Sequence, residues 1–257
     1  METAEHIDAL RAAGRDLAEA ARAAGLDAPV PACPGWRVRD LVTHTGGVHL
    51  WATAYVAERR VEAMSRDERA RYRDPVPDAA DLVGWYAGAH AALVAALQAA
   101  PPDLECWTFH PAPSPLAFWA RRQAHETVIH RIDAEAAAGK PGTPPAADLA
   151  ADGIEELLAF FLTRPKAGLR ADPPRSLGVR ASDVDEEWTV RIGPEKVEVL
   201  HGPGCVRTWA EGGSADCVLT GAAADLYLFL WNRAEADPLR VDGDASLLDL
   251  WRESARV

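Results

Sequence analysis

The sequence predicts an α+β chain of two domains, with an antiparallel four-helix bundle over residues 1–145 and a small α+β domain over residues 146–257. Three observations predict it. Four stretches before residue 140 carry apolar residues at helical spacing and are divided by proline- or glycine-containing breaks. Residues 140–148, Lys-Pro-Gly-Thr-Pro-Pro-Ala-Ala-Asp, have the composition of a linker. Beyond them the pattern changes to short apolar runs separated by Gly, Pro and Asp turns, as in a small sheet.

The first helix is expected over residues 5–25, where Ile7, Leu10, Ala13, Leu17, Ala21 and Leu26 recur at helical spacing. The second follows the break at Pro34-Gly35-Trp36. Asp40 then falls in a first turn, where a carboxylate suits the helix dipole, and Val38, Leu41, Val42 and Val48 supply an apolar face. Gly46-Gly47 either weakens this helix or admits a close neighbour. A charged loop or short irregular helix is expected over residues 59–81, a third long helix over 79–100 ended by Pro101-Pro102, and a fourth over 115–139 with Gly139 as its stop signal. In the second half a bridging helix is expected over 149–162. Strands are expected at 177–181, 188–192, 196–200, 216–220 and 239–241, and helices at 223–234 and 246–253. The lengths in the first half are those of a bundle that builds metal sites from side chains of facing helices.

The fourth helix carries the most informative run, Arg121 to Asp133. Glu126 and His130 are four residues apart, about 40° around a helix axis, so a carboxylate and an imidazole can converge on one point. His44, on the second helix, supplies a third candidate ligand. Two His and one Glu suit zinc with a fourth position left for a ligand, although the same donors accept nickel, cobalt or iron. This is not the zinc-protease pattern, because His125 and His130 are five apart and so about 140° apart around the axis. Asp133 lies on the face of Glu126 and His130, where it could orient an imidazole or line a pocket. Trp51 sits seven residues after His44 on about the same face and could wall that pocket; Arg122 could bind a cofactor or a substrate carboxylate, or simply pair with a bundle carboxylate. His49, His90, His110 and His201 have no convergent partner by spacing, and Trp36, Trp85, Trp119 and, unless it walls the pocket, Trp51 read as bundle core.

Composition narrows the function classes. A net charge of −12 opposes a nucleic-acid partner, since phosphate binding draws on clustered Lys and Arg. No apolar run approaches the roughly 20 residues that span a bilayer, and acidic Glu2, Glu5 and Asp8 stand where a signal peptide would be basic and then apolar, so a cytoplasmic protein with no membrane partner is expected. Cys33, Cys106, Cys205 and Cys217 form no CxxC pair and read as buried reduced thiols. Only Lys140, Lys166 and Lys196 are lysine among 27 basic residues, a usage expected of a high-GC bacterial genome.

The run from Cys33-Pro34-Gly35-Trp36 to His44, the run from Arg121 to Glu135, and the late Leu230-Trp231-Asn232-Arg233 with Asp242-Gly243-Asp244 together resemble the mycothiol-dependent maleylpyruvate isomerase family, whose N-terminal half is a DinB-like metal-binding bundle. The resemblance covers nearly the whole chain and is weakest over residues 140–215. It implies zinc held by His44, Glu126 and His130, with the fourth position available to water or to the thiolate of mycothiol as cofactor. It also implies a small-molecule electrophile or unsaturated acid as substrate, and Arg233 as the arginine that reaches the metal site to hold a carboxylate or enolate. The reaction implied is cis-trans isomerisation through thiol addition, or thiol transfer to an electrophile. The residues themselves leave open a non-catalytic binding protein on the same scaffold and a thiol-independent metal hydrolase, and either a monomer or a homodimer.

Overall fold

The computed structural model describes residues 1–73, 78–208 and 215–255, and the chain divides into two compact units, Met1–Thr143 and Pro144–Val257. Residues 74–77 of the expected charged segment lie outside the described residues.

The first unit is helical: α1 (Thr3–Ala24), α2 (Val38–Glu58), a short α3 (Arg66–Ala70), α4 (Leu82–Ala99) and α5 (Pro115–Ala137). Local chemistry sets the starts. Asp40 Oδ2 accepts from the Arg37 amide at 2.8 Å, so Asp40 is an end-capping carboxylate of α2. In the segment expected as a charged loop or short irregular helix, Ser65 and Glu68 form a reciprocal capping box: the Glu68 amide donates to Ser65 Oγ at 3.2 Å and the Ser65 amide to Glu68 Oε2 at 2.8 Å. Ser114 Oγ accepts from the Ala117 amide and Pro115 occupies the first helical position of α5. Gly139, at φ 71°, follows the end of that helix.

Helix α1 packs mainly along α5, and α2 along α4. Close approach depends on two glycines. A Cβ on Gly14 would fall 2.2 Å from His90 Nε2, and one on Gly46 would fall 2.3 Å from the Trp85 ring. Gly46 therefore serves close packing. Helix α4 is long and apolar enough, by length and composition, to cross a membrane; here it packs against α1 and α2. Helix α5 is buried over most of its surface, with Arg122, Arg131, Asp133 and Glu135 among the buried residues. Burial of those charges is tolerable because they are paired: Arg131 lies 3.4 Å from Glu135, whose other oxygen accepts from the Thr143 amide at 2.6 Å.

The second unit contains α6 (Ala147–Glu155), which continues in a wider turn to Phe161, then β1 (Arg175–Ala181), β2 (Glu187–Ile192), β3 (Val197–His201), α7 (Cys205–Thr208), β4 (Cys217–Gly221), α8 (Ala223–Leu230), β5 (Arg240–Gly243) and α9 (Ser246–Ser254). The sheet order is β3-β2-β1-β4-β5, with β1 and β4 parallel and the other pairs antiparallel. Trp188, Val190 and Ile192 bury the inward face of β2. The helix expected to reach residue 234 stops at Leu230, because Asn232 turns left-handed at φ 59°. Gly243 explains itself: its φ is 100°, and a Cβ there would meet the Asp216 carbonyl oxygen at 2.2 Å.

Two predictions follow from the packing of the first unit. Gly14→Ala should lower unfolding free energy by about 1–3 kcal/mol by overpacking against His90, whereas Gly88→Ala, exposed on α4 with open space around it, should raise it by about 0.5–1 kcal/mol through helix propensity. Urea denaturation of both variants checks this pair. The second concerns His49, which is fully buried and donates from Nε2 to Thr127 Oγ1 at 2.9 Å, the threonine hydroxyl itself donating to the Gln123 carbonyl. Burial, assisted by the neighbouring His90, pushes its pKa from 6.5 down to about 3. The unfolded chain takes up a proton below pH 6.5 that the native chain refuses, so stability falls with pH between 6.5 and 3 by up to about 1.4 kcal/mol per pH unit from this group. His49→Gln should flatten the acid limb of a stability-pH curve measured by urea titration; parallel curves for the two proteins would contradict it.

Candidate metal centre

Packing of α2 against α5, and a turn before α2, bring the site residues together. Gly35, at φ 86°, turns the chain so that the Trp36 amide donates to the Cys33 carbonyl at 2.9 Å, and Trp36 is delivered to the start of α2. Two turns into α2, His44 faces α5. Its Nε2 lies 2.9 Å from Glu126 Oε1, and His130 Nε2 lies 3.5 Å from the same oxygen. One ligand atom from each of His44, Glu126 and His130 falls within 4.8 Å of the other two.

The surroundings organise this set. Asp133, fully buried, accepts from His130 Nδ1 at 2.9 Å, which fixes the imidazole with Nε2 directed at Glu126. Arg122 Nη2 donates to Glu126 Oε2 at 3.0 Å. Burial works against ionising Glu126, but hydrogen bonds from His130 and His44 and the charges of His130 and Arg122 outweigh it and hold the carboxyl well below its ordinary range. Burial likewise opposes the His130 imidazolium, and the hydrogen bonds to Asp133 and Glu126 reverse that, raising its pKa to about 9. Side chains of His44 and Glu126 remain a fifth to a quarter exposed, so the cluster is open to a small molecule.

These residues fit a divalent metal. Two imidazole nitrogens and a carboxylate converge, one imidazole is oriented from behind by a second carboxylate, and the cation would replace the proton on His130 Nε2. Trp36, expected in the core, instead walls the site half-buried: its ring centroid is 5.0 Å from that of His44 and 6.1 Å from that of His130, nearly parallel to the latter at 25°. Cys33 is also only half-buried, and its Sγ donates to Asp133 Oδ2 at 3.6 Å. Neither could be read from spacing, since both precede the helix in an irregular turn. His125 turns away, its ring edge-on to His6 at 5.9 Å. Trp51 lines a cavity between α2 and α3. Arg233 lies in the second unit just after α8, with Nη1 donating to the Trp231 carbonyl at 2.7 Å.

Asp133→Asn should lower zinc affinity about 10- to 100-fold by losing control of the His130 tautomer, with thermal unfolding showing the bundle still folded. Competition with a colorimetric chelator measures it; wild-type affinity in the variant would remove Asp133 from the site.

Residues 7–135 match the model of the mycothiol maleylpyruvate isomerase N-terminal domain, and residues 148–250 that of the MDMPI C-terminal domain. Among solved structures, the chain is similar to the mycothiol-dependent maleylpyruvate isomerase, with TM-score 0.64, 13% identity and 95% of each chain covered. A histidine-to-alanine mutant of that enzyme gives TM-score 0.65 at the same identity and coverage. At this identity the structural likeness shows the fold: a helical N-terminal region with a small C-terminal sheet domain. No curated protein sequence gives a significant match. Because the two domain models together span most of its length, the chain belongs to the mycothiol maleylpyruvate isomerase family.

Proposed function

We propose that this protein is a metal-dependent enzyme that uses mycothiol to isomerise a cis-unsaturated acid or to transfer the thiol to a small electrophile. The observation that carries the reading is the convergence of His44, Glu126 and His130 with Asp133 behind His130, in a chain of this family. A divalent metal bound there, zinc by the character of the donors, supplies a positive charge that keeps a thiol deprotonated at neutral pH.

The protein's own groups divide the remaining work. Asp133 presents His130 through Nε2, and Arg122 holds Glu126 ionised from the side away from the imidazoles. Trp36 covers one side of the pair of imidazoles, limiting water at the reacting sulfur. When bound, the thiol would supply a nucleophile able to add reversibly to the cis double bond, letting it rotate as a single bond before the thiolate is released and the trans alkene restored. No oxidant or reductant is required. Arg233 enters through the resemblance as the group that pairs with the substrate carboxylate or developing enolate.

Calorimetric titration of mycothiol into zinc-loaded and chelator-stripped protein tests the proposal, with isomerisation of maleylpyruvate followed on the same samples. Binding and turnover should both require the metal and should both be lost in His44→Ala. Zinc-loaded protein that ignores mycothiol, or that hydrolyses esters without any thiol, would overturn it. Arg233→Ala should raise KM for carboxylate substrates while zinc content stays at wild-type level.

A further inference from the structure

The sequence expected little of the segment after α2, yet it forms one wall of a cavity of about 420 Å³, lined by Gly47, Val48 and Trp51 of α2 and by Arg66, Arg69 and Ala70 of α3. The α2 residues stand three, four and seven positions after His44, within about 60° of it around the helix axis and about 4–11 Å along it. The chamber therefore opens on the same face of α2 as the metal-ligating imidazole, at the reach of a small organic acid whose other end lies at the metal.

The α3 wall is a built feature. The Met64 amide donates to Tyr55 Oη at 2.7 Å and the Met64 side chain is buried, tying the entry of α3 to α2. The Ser65–Glu68 capping box then starts the helix, and three positions separate Arg66 from Arg69, so both guanidinium groups share one face. One neighbouring acid is engaged elsewhere: Glu68 caps the helix and pairs with Arg60 at 3.2 Å. Among the described residues neither Arg66 nor Arg69 has a carboxylate within ion-pair distance. Two cationic side chains that have no ion-pair partner among the described residues, lining one chamber of a protein with net charge −12, match an anionic guest.

We propose that this chamber holds the carboxylate end of the acceptor substrate, with Arg66 and Arg69 as its anion-binding groups and Trp51 as its flat wall. This deepens the thiol-dependent reading and rests on it for the substrate's other end. Carboxylate binding in the chamber places the electrophilic carbon toward His44 and fixes which acids react, so these arginines set specificity.

Titration of maleate into zinc-loaded protein by calorimetry tests the assignment, using wild type, Arg66→Ala/Arg69→Ala and Arg66→Lys/Arg69→Lys. A control, Arg59→Ala/Arg71→Ala, removes two neighbouring exposed charges that do not line the chamber. Zinc content, mycothiol binding and thermal unfolding are read on every sample. The double alanine variant should bind maleate at least 10-fold more weakly, with partial recovery in the double lysine variant and near-wild-type binding in the control. Unchanged maleate affinity in the double alanine variant, equal loss in the control, or absence of maleate binding to wild type would overturn the proposal. Arginine-dependent maleate binding by zinc-loaded protein that fails to bind mycothiol would uphold the anion chamber and reject the thiol-dependent function.

Discussion

The candidate centre of the first unit is built around a carboxylate that has to stay ionised within a bundle. Glu126 sits part-buried on a largely buried helix, where an uncompensated charge would be costly. Three cationic or hydrogen-bonding groups compensate it: His44 from α2 at 2.9 Å, and His130 and Arg122 from its own helix at 3.5 and 3.0 Å. The same contacts that make burial tolerable bring two imidazole nitrogens to one oxygen. A divalent cation needs this same convergence, so packing and chemistry impose one geometry rather than two competing ones.

Close helix contacts make that convergence possible. Gly46, two residues after His44, lets the Trp85 ring lie against α2, and Gly14 lets His90 lie against α1 with its Nε2 donating to the Leu10 carbonyl at 3.0 Å. The face of α2 that turns away from α4 is left to carry His44 and, further along, the wall of the cavity under α3. The short α3 is thus more than a connection: its capping box and the Met64 tether hold two arginines over the chamber.

What the sequence made legible follows from periodicity. The long helices and the alternating strands announce themselves through apolar spacing, and Glu126 with His130 through the four-residue step of a helix; the structure brings His44 to them. Groups fixed by irregular backbone were not legible. Trp36 and Cys33 reach the imidazole-carboxylate cluster through a turn around Gly35, and no spacing rule encodes that turn. Arg66 and Arg69 lie in a charged segment without an apolar stripe, so their shared face appears only once Ser65 and Glu68 are seen to start a helix. The early end of α8 likewise depends on the left-handed conformation of Asn232, a tertiary outcome rather than a propensity.

The most direct test of the central claim is zinc K-edge X-ray absorption of the zinc-loaded protein before and after addition of mycothiol. The account predicts nitrogen and oxygen neighbours alone at first, from His44, Glu126 and His130, and one sulfur at about 2.3 Å once the thiol is added. A nitrogen and oxygen shell unchanged by saturating mycothiol would contradict thiol activation at this centre, and a sulfur neighbour already present without the thiol would contradict the ligand set.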